Sequence, residues 1–317
     1  MSHAYNPKHY PTHADFSASD RAHGSLSALV ALVPERARVL DVGCASGYLG
    51  RVLSERGCTV IGLDANEAAL EQAGSWYEAL YSVDLDATPL DRILDAEQPF
   101  DRIIFGDVLE HLRDPVTLLT AARGLLSEGG RLLASLPNVA HGAIRLAMLS
   151  GHFEYQRYGL LDEDHLHFFS RETIERTFLR AGYRIERMDR IRVALFENSD
   201  LLPSLRRHDF DETVVQSIER DPEHDVLQYV LEARALSQHE HVEALYAAYQ
   251  DAISERDRYG VECDRLSRAY DETYRALDKR DAEYAALVER FDAFVDEVAA
   301  TTDERIAAAN EALGKRA

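Results

Sequence analysis

The sequence predicts an α/β fold, a doubly wound and mostly parallel sheet, followed by a long C-terminal helix. Three observations carry this. Short apolar runs alternate with stretches of helical spacing up to about residue 235, the rhythm of strand–helix units that build a parallel sheet. All nine prolines fall at or before Pro222. Beyond residue 237 only Gly260 and Gly314 interrupt a segment rich in Ala, Glu, Asp, Arg and Tyr.

In order along the chain, Arg38–Gly43 reads as a buried strand, and Tyr48–Arg56 as a helix that Gly57 stops. Thr59–Asp64 is a second strand, Glu67–Ala73 a second helix, and Leu80–Asp84 a third strand. Phe100–Gly106 is the fourth strand. A helix follows over Pro115–Leu126, with the proline in the first turn, where its missing N–H is not needed. Gly129 and Gly130 lead into a fifth strand, Arg131–Leu136. Arg171–Ala181 is helical, with Ser170 as its N-cap and Gly182 at its stop. Tyr183–Val193 and Val226–Ala233 are two late strands, antiparallel at one edge if the chain between them turns back.

The tail obeys a count. Stepping alternately by three and four from Val242 to Val298 visits seventeen positions, of which only Arg256, Thr273 and Arg280 are polar. Such a stripe argues for a coiled coil of roughly 85 Å at ~1.5 Å per residue. A lone helix would expose it to water, so pairing between chains, as a dimer or trimer, is the expectation. The division is therefore 1–24 as an N-terminal segment, whose Tyr- and His-rich part could close as a lid, 25–237 as the globular domain, and 238–317 as an oligomerising or docking helix.

Composition narrows the function classes. With 317 residues and 46% hydrophobic content the chain can bury a substantial core. A net charge of −21 makes nucleic acid and anionic lipid poor electrostatic partners. The three cysteines, Cys44, Cys58 and Cys263, have neither disulfide-framework nor zinc spacing. The opening residues hold no apolar signal core, and no uncharged apolar run reaches 18 residues, so a cytoplasmic protein is expected.

The densest local signal runs from Val39 to Gly47, VLDVGCASG. A strand ends in an acid, turns through glycines, and enters a helix. Gly43 and Gly47 let backbone approach a ligand without a Cβ in the way, and the helix start offers free N–H groups. Asp64 ends the second strand, where a carboxylate can hold both hydroxyls of a ribose. A dinucleotide fingerprint needs glycines where Ala45 and Tyr48 stand, and no basic residue is near to meet a pyrophosphate. S-adenosylmethionine carries no phosphate, and its ribose and ammonium suit two carboxylates.

The stretches VLDVGCASGYLG, VIGLD, SVDLD, PFDRIIFGDVLEHLRDP and GGRLLASLPN resemble the class I S-adenosylmethionine-dependent methyltransferases over most of residues 25–235. The resemblance implies a Rossmann-like seven-stranded sheet whose last strand is antiparallel. It places Asp41, Gly43 and Gly47 at the methionine end, Asp64 at the ribose, Asp84 and Leu85 at the adenine, and Gly106 and Asp107 where the pocket closes, with Cys44 and Ala65 also among the cofactor-binding residues. Ala45 departs from the pattern, since many members have glycine there. The joined pattern PNVAHGAIRLAMLSGHFEY…YGLLDEDHLHFFS resembles a subgroup that accompanies glycosyltransferases in bacterial surface-polysaccharide or O-antigen assembly.

Two segments carry polar groups that the fold alone does not need: Asp107–His111 after the fourth strand, and Asp162–Phe169 before the helix capped by Ser170. Methyl transfer to a hydroxyl needs the nucleophile held in line and its proton removed, work suited to histidine. His111 and His165, with Glu110, are the candidates. Any one histidine in a sequence is more often packed or merely solvated; two clusters together strengthen the functional reading. Glu110, His111 and His165, with Asp107, are also a set able to bind a divalent ion, although a metal is not favoured.

The resulting expectation is an O-methyltransferase that uses S-adenosylmethionine, releases S-adenosylhomocysteine, and acts on a sugar hydroxyl of a bacterial glycan, at the chain end as a cap. Glycan-assembly proteins are expected partners and could hold it at the inner membrane. The alternatives are a phenolic or quinone-like acceptor, an RNA acceptor, or a coiled-coil scaffold whose first domain has lost catalysis.

Overall fold

The structure is a computed structural model; it describes residues 24–314 apart from 95–98 and 198. The expected lid in residues 1–24 lies outside the described residues but for Gly24. The chain divides into two compact units, Met1–Leu245 and Tyr246–Ala317.

The first unit is built on a seven-stranded sheet of order β3-β2-β1-β4-β5-β7-β6. Its strands are β1 (Arg38–Val42), β2 (Thr59–Asp64), β3 (Ala79–Ser82), β4 (Phe100–Gly106), β5 (Leu126–Pro137), β6 (Tyr183–Arg192) and β7 (Val226–Ala235). The pairings from β3 through β5 are parallel, and β7 runs antiparallel to both β5 and β6. The expected antiparallel pair at one edge is therefore present, with β7 inserted between β5 and β6. The helices are α1 (Ser25–Ala31), α2 (Tyr48–Glu55), α3 (Glu67–Ala73), α4 (Leu90–Ile93), α5 (Pro115–Ala122), α6 (Gly142–Leu149), α7 (Arg171–Arg180) and α8 (Glu212–Glu219). The long helix α9 spans Gln238–Gly314.

The central strands are apolar on both faces because both are covered. Leu40, Val42, Ile61, Leu63 and Phe105 pack into one core with α5 and α7. Val39, Val60 and Ile104 pack into another with Leu29 of α1 and Leu49 and Leu53 of α2. Local chemistry sets the boundaries. Gly57 (φ 75°) and Gly182 (φ 82°) adopt the left-handed conformation at the predicted stops. Asp114 caps α5, with Pro115 in the first turn as expected. That helix ends at Ala122, short of the predicted Leu126, in a 3₁₀ turn at Arg123–Leu125. Gly129 and Gly130 lie inside β5 rather than ahead of it: the β4–β5 register shifts between Phe100 and Arg102, and a Cβ on Gly130 would stand 2.9 Å from the Phe100 carbonyl oxygen.

The second unit continues α9. Its start is fixed by a capping box: the Ser237 N–H donates to Glu240 Oε2 at 2.9 Å, and the Glu240 N–H to Ser237 Oγ at 3.3 Å. Along the predicted stripe Tyr249, Tyr259, Leu266, Tyr270 and Tyr284 are exposed. The side chains of Thr273, Leu287, Phe291, Phe294 and Val298 are outside the described ones.

Ser170 makes a second capping box, with Thr173, directly after the segment that carries His165. Ser170→Ala should therefore lower stability by about 1 kcal/mol in denaturant unfolding.

Candidate active site

The ends of β1, β2 and β4 meet at one edge of the sheet, where a parallel α/β sheet forms its ligand crevice. After Val42 the chain turns sharply. The N–H groups of Gly43 and Cys44 both donate to the Leu63 carbonyl, at 2.8 and 3.0 Å, tying the turn to β2. Gly43 (φ 74°), Ala45 (φ 45°) and Gly47 (φ 86°) are left-handed. At Gly47 glycine is required twice, since a Cβ there would also stand 2.8 Å from that of Ala73. Ala45, the departure from the family pattern, accommodates the same conformation with its N–H held by Asp64.

Both predicted cofactor carboxylates are buried. Asp64 accepts the Ala45 N–H through Oδ2 and the Asn66 N–H through Oδ1, each at 2.8 Å. A carboxylate offers about four lone-pair sites, so two remain for a ligand. Asp41 accepts the Tyr77 hydroxyl at 2.7 Å, and that hydroxyl in turn accepts the Gly50 N–H of α2 at 3.1 Å. Burial pushes the Asp41 carboxyl up to about 7, against the Tyr77 hydrogen bond and with the help of the nearby Asp64 charge. Burial and the Asp41 charge likewise push the Tyr77 phenol up.

Sequence reasoning missed Tyr77. Its ring occupies the space that a side chain at Gly50 would fill and, with Leu80 and Cys44, the space at Gly62. Gly62 was the available signal: a glycine inside the otherwise apolar strand TVIGLD marks a close approach.

The remaining cofactor candidates divide. Cys44 is buried beneath the turn, and its thiol is pushed up by burial first and then by Asp41 and Asp64, so it contributes backbone rather than a reactive group. Ala65 is exposed just after β2. Asp84 is exposed after β3, accepting the Asp86 N–H at 2.9 Å, and Leu85 packs on the core. At Gly106 a Cβ would meet nothing nearer than 3.6 Å, so that position does not itself demand glycine. Asp107 does stand in a special conformation (φ 55°). Its carboxylate accepts Ser135 Oγ at 2.7 Å and the Gln228 side chain, two partners from β5 and β7 that the sequence did not disclose.

Glu110 and His111 follow on a 3₁₀ turn, Leu109–His111. The Glu110 carbonyl accepts the N–H groups of Leu166 (2.8 Å) and His167 (3.0 Å), stitching the two candidate segments together. His111 Nδ1 lies 3.2 Å from the Asp164 carbonyl. A carbonyl only accepts, so Nδ1 carries a proton, and Nε2 is the nitrogen left for another partner. The His111 and His165 rings meet edge-on with centroids 4.8 Å apart. Glu110 is only 1% exposed, and burial, then the Asp107 charge, holds its carboxyl well above the usual range. The structure thus brings together the three residues proposed for catalysis. His165 also borders an aromatic group: its ring is 6.1 Å from that of Phe168, which is 6.0 Å from Phe153, itself 5.6 Å from Tyr155. The Val108 side chain fills the space a Cβ on Gly43 would take, so the loop after β4 abuts the glycine turn.

A family model described as a methyltransferase domain matches residues 18–187, more than half of the chain. The chain belongs to the methyltransferase-domain family. The cofactor of that class is S-adenosylmethionine. A ubiquinone biosynthesis O-methyltransferase of Dinoroseobacter shibae is 32% identical over 117 residues, 37% of this chain and 47% of that protein. One from Xylella fastidiosa is 34% identical, covering 41% of this chain and 59% of its own length. The chain thus spans about half the length of these curated relatives. A solved magnesium protoporphyrin IX methyltransferase from Synechocystis, with bound S-adenosylhomocysteine, aligns with 68% of this chain and 83% of its own at 18% identity and a TM-score of 0.44.

Two measurements test the methyltransferase domain's cofactor end. Tyr77→Phe strands the Gly50 N–H and one Asp41 oxygen, so denaturant unfolding should show a loss of about 1–3 kcal/mol. The Asp41 carboxyl is raised when folded, so the folded protein binds the extra proton between the unfolded value near ~3.9 and about 7. The ligand-free protein should therefore lose stability as pH rises through that window, on the order of 4 kcal/mol, and Asp41→Asn should flatten the profile.

Proposed function

We propose that this chain is an O-methyltransferase that binds S-adenosylmethionine against Asp41, Gly43, Gly47 and Asp64 and transfers its methyl group to the hydroxyl of a small phenolic acceptor. The observation that carries the reading is the shared cleft. The loop bearing Glu110 and His111 presses Val108 onto Gly43, so donor turn and acceptor cluster adjoin at one sheet edge. Asp64 holds the ribose, Asp41 faces the ammonium, Ala65 and the segment with Asp84 and Leu85 border the nucleoside, and Gly106 and Asp107 close the pocket.

In the reaction the acceptor oxygen attacks the methyl carbon in line with the breaking C–S bond. The electron pair of that bond goes to sulfur, giving S-adenosylhomocysteine. The hydroxyl proton passes to an imidazole. His111 Nε2 is suited to receive it, because the Asp164 carbonyl fixes the tautomer. His165 and Glu110 position the hydroxyl.

The rings of Phe153, Tyr155 and Phe168 beside His165 support a flat, apolar acceptor. The curated relatives' names point to O-methylation in quinone synthesis, which favours a phenol over the sugar expected from the sequence. A sugar remains the second reading, because the guanidinium of Arg157 lies over the Tyr158 ring, 5.6 Å from its centroid, and such a pair suits a glycan. RNA fits a chain of net charge −21 poorly. The intact pair Asp41 and Asp64 argues against a scaffold that has lost its ligand. We further propose that α9 self-associates through its exposed stripe, in which Val242 and Tyr249 are both 61% exposed.

Three experiments test this. Incubation with S-adenosylmethionine and either a catechol bearing an apolar tail or simple glycosides should methylate the catechol; transfer to glycosides alone would restore the glycan reading. His111→Ala should lower turnover by roughly 10²–10⁴-fold while sparing cofactor affinity. Removal of Tyr246–Ala317 should yield a monomer in light scattering that still binds S-adenosylhomocysteine; retention of the full oligomeric mass would remove the coil from assembly.

A further inference from the structure

We infer that Glu110, His111 and His165 form a binding site for one divalent transition-metal ion. One ligand atom from each residue lies within 4.8 Å of the others. The independent observation is Glu110 Oε2: it is buried and has no hydrogen-bond partner among the described residues. A buried carboxylate oxygen left without a donor is costly, and such groups in folded proteins ordinarily have a partner. A cation beside the two imidazoles supplies one.

The site is also built rather than incidental. His111 Nδ1–H donates to the Asp164 carbonyl at 3.2 Å, which leaves Nε2 as the ligand atom. Metal-bound histidines typically have their second nitrogen held in this way. The Glu110 carbonyl, bonded to the N–H groups of Leu166 and His167 at 2.8 and 3.0 Å, fixes the loop on which His165 sits. Both loops are therefore locked by main-chain bonds before any ion arrives.

The donor set selects the ion class. Two imidazoles and one carboxylate suit Zn²⁺, Co²⁺, Mn²⁺ or Fe²⁺, whereas Mg²⁺ and Ca²⁺ prefer oxygen-only shells. Three protein ligands leave positions open for a hydroxyl oxygen. A hydroxyl held there ionises more readily, so the ion would assume the proton-removing role given above to the imidazole, and the two histidines would act as ligands. That catalytic use rests on the methyl-transfer reading; occupancy of the site does not.

The test is titration of the full chain with Co²⁺, followed by visible absorption and by calorimetry, with S-adenosylhomocysteine binding measured in parallel. One Co²⁺ per chain is expected, displaced by Zn²⁺ but not by millimolar Mg²⁺. Glu110→Gln, His111→Ala and His165→Ala should each weaken Co²⁺ at least about tenfold while leaving S-adenosylhomocysteine affinity within about threefold. Absence of Co²⁺ binding at millimolar concentration would overturn the inference, as would binding that none of the three variants changes. Loss of S-adenosylhomocysteine binding by the unaltered chain would instead count against the methyl-transfer reading, so the two failures are separable.

Discussion

Two carboxylates buried at the ends of neighbouring strands are the constraint around which the first unit is arranged. Asp41 and Asp64 lie out of water, and each must be compensated where it sits. Asp64 takes the N–H groups of Ala45 and Asn66, which bends the chain after β1 into its glycine turn. Asp41 takes the Tyr77 hydroxyl, and Tyr77 reaches it only because Gly50 and Gly62 carry no side chain. The turn, the start of α2 and the middle of β2 are thus shaped by one electrostatic demand. A ligand carrying a cation and two hydroxyls would add partners to both carboxylates, which is the physical ground for proposing this turn as the cofactor site.

The cluster of Glu110, His111 and His165 is assembled by a different device. Its segments are 53 residues apart at the His111–Asp164 contact, and among the described residues no strand pairing joins them. Main-chain hydrogen bonds to the Glu110 carbonyl do so instead, so the geometry of the imidazoles depends on backbone rather than on side-chain packing. His141 shows the contrast. It is fully buried, with Nε2 2.9 Å from the Val193 carbonyl and Nδ1 accepting the Ala143 N–H at 3.1 Å, and both nitrogens are used up in holding the structure. Among the described residues His111 uses only one.

Much of this was legible in the sequence because it depends on local order. β2, α3 and β4 fall on the predicted residues, each bounded by a turn or cap that the chain announces. The placement of Asp41 and Asp64 at neighbouring strand ends was legible because strand ends and glycine turns have fixed spacing. Four short helices, α1, α4, α6 and α8, lie where no helix was read from the sequence. Tyr77 was hidden because its role comes from contacts 27 and 36 residues away. Gln228, which reaches Asp107 from β7, was hidden for the same reason. The clustering of Glu110, His111 and His165 could be guessed from composition, but the orphaned Glu110 oxygen could be found only in three dimensions.

The central claim is that the buried pair Asp41 and Asp64 receives S-adenosylmethionine, and calorimetric titration of the full chain with S-adenosylhomocysteine at pH 8 tests it most directly. The account predicts one site per chain with micromolar affinity, weakened by about 1.5–3 kcal/mol in Asp64→Ala. A chain that binds nothing at millimolar ligand, or an Asp64→Ala variant that binds as tightly as the original, would contradict it.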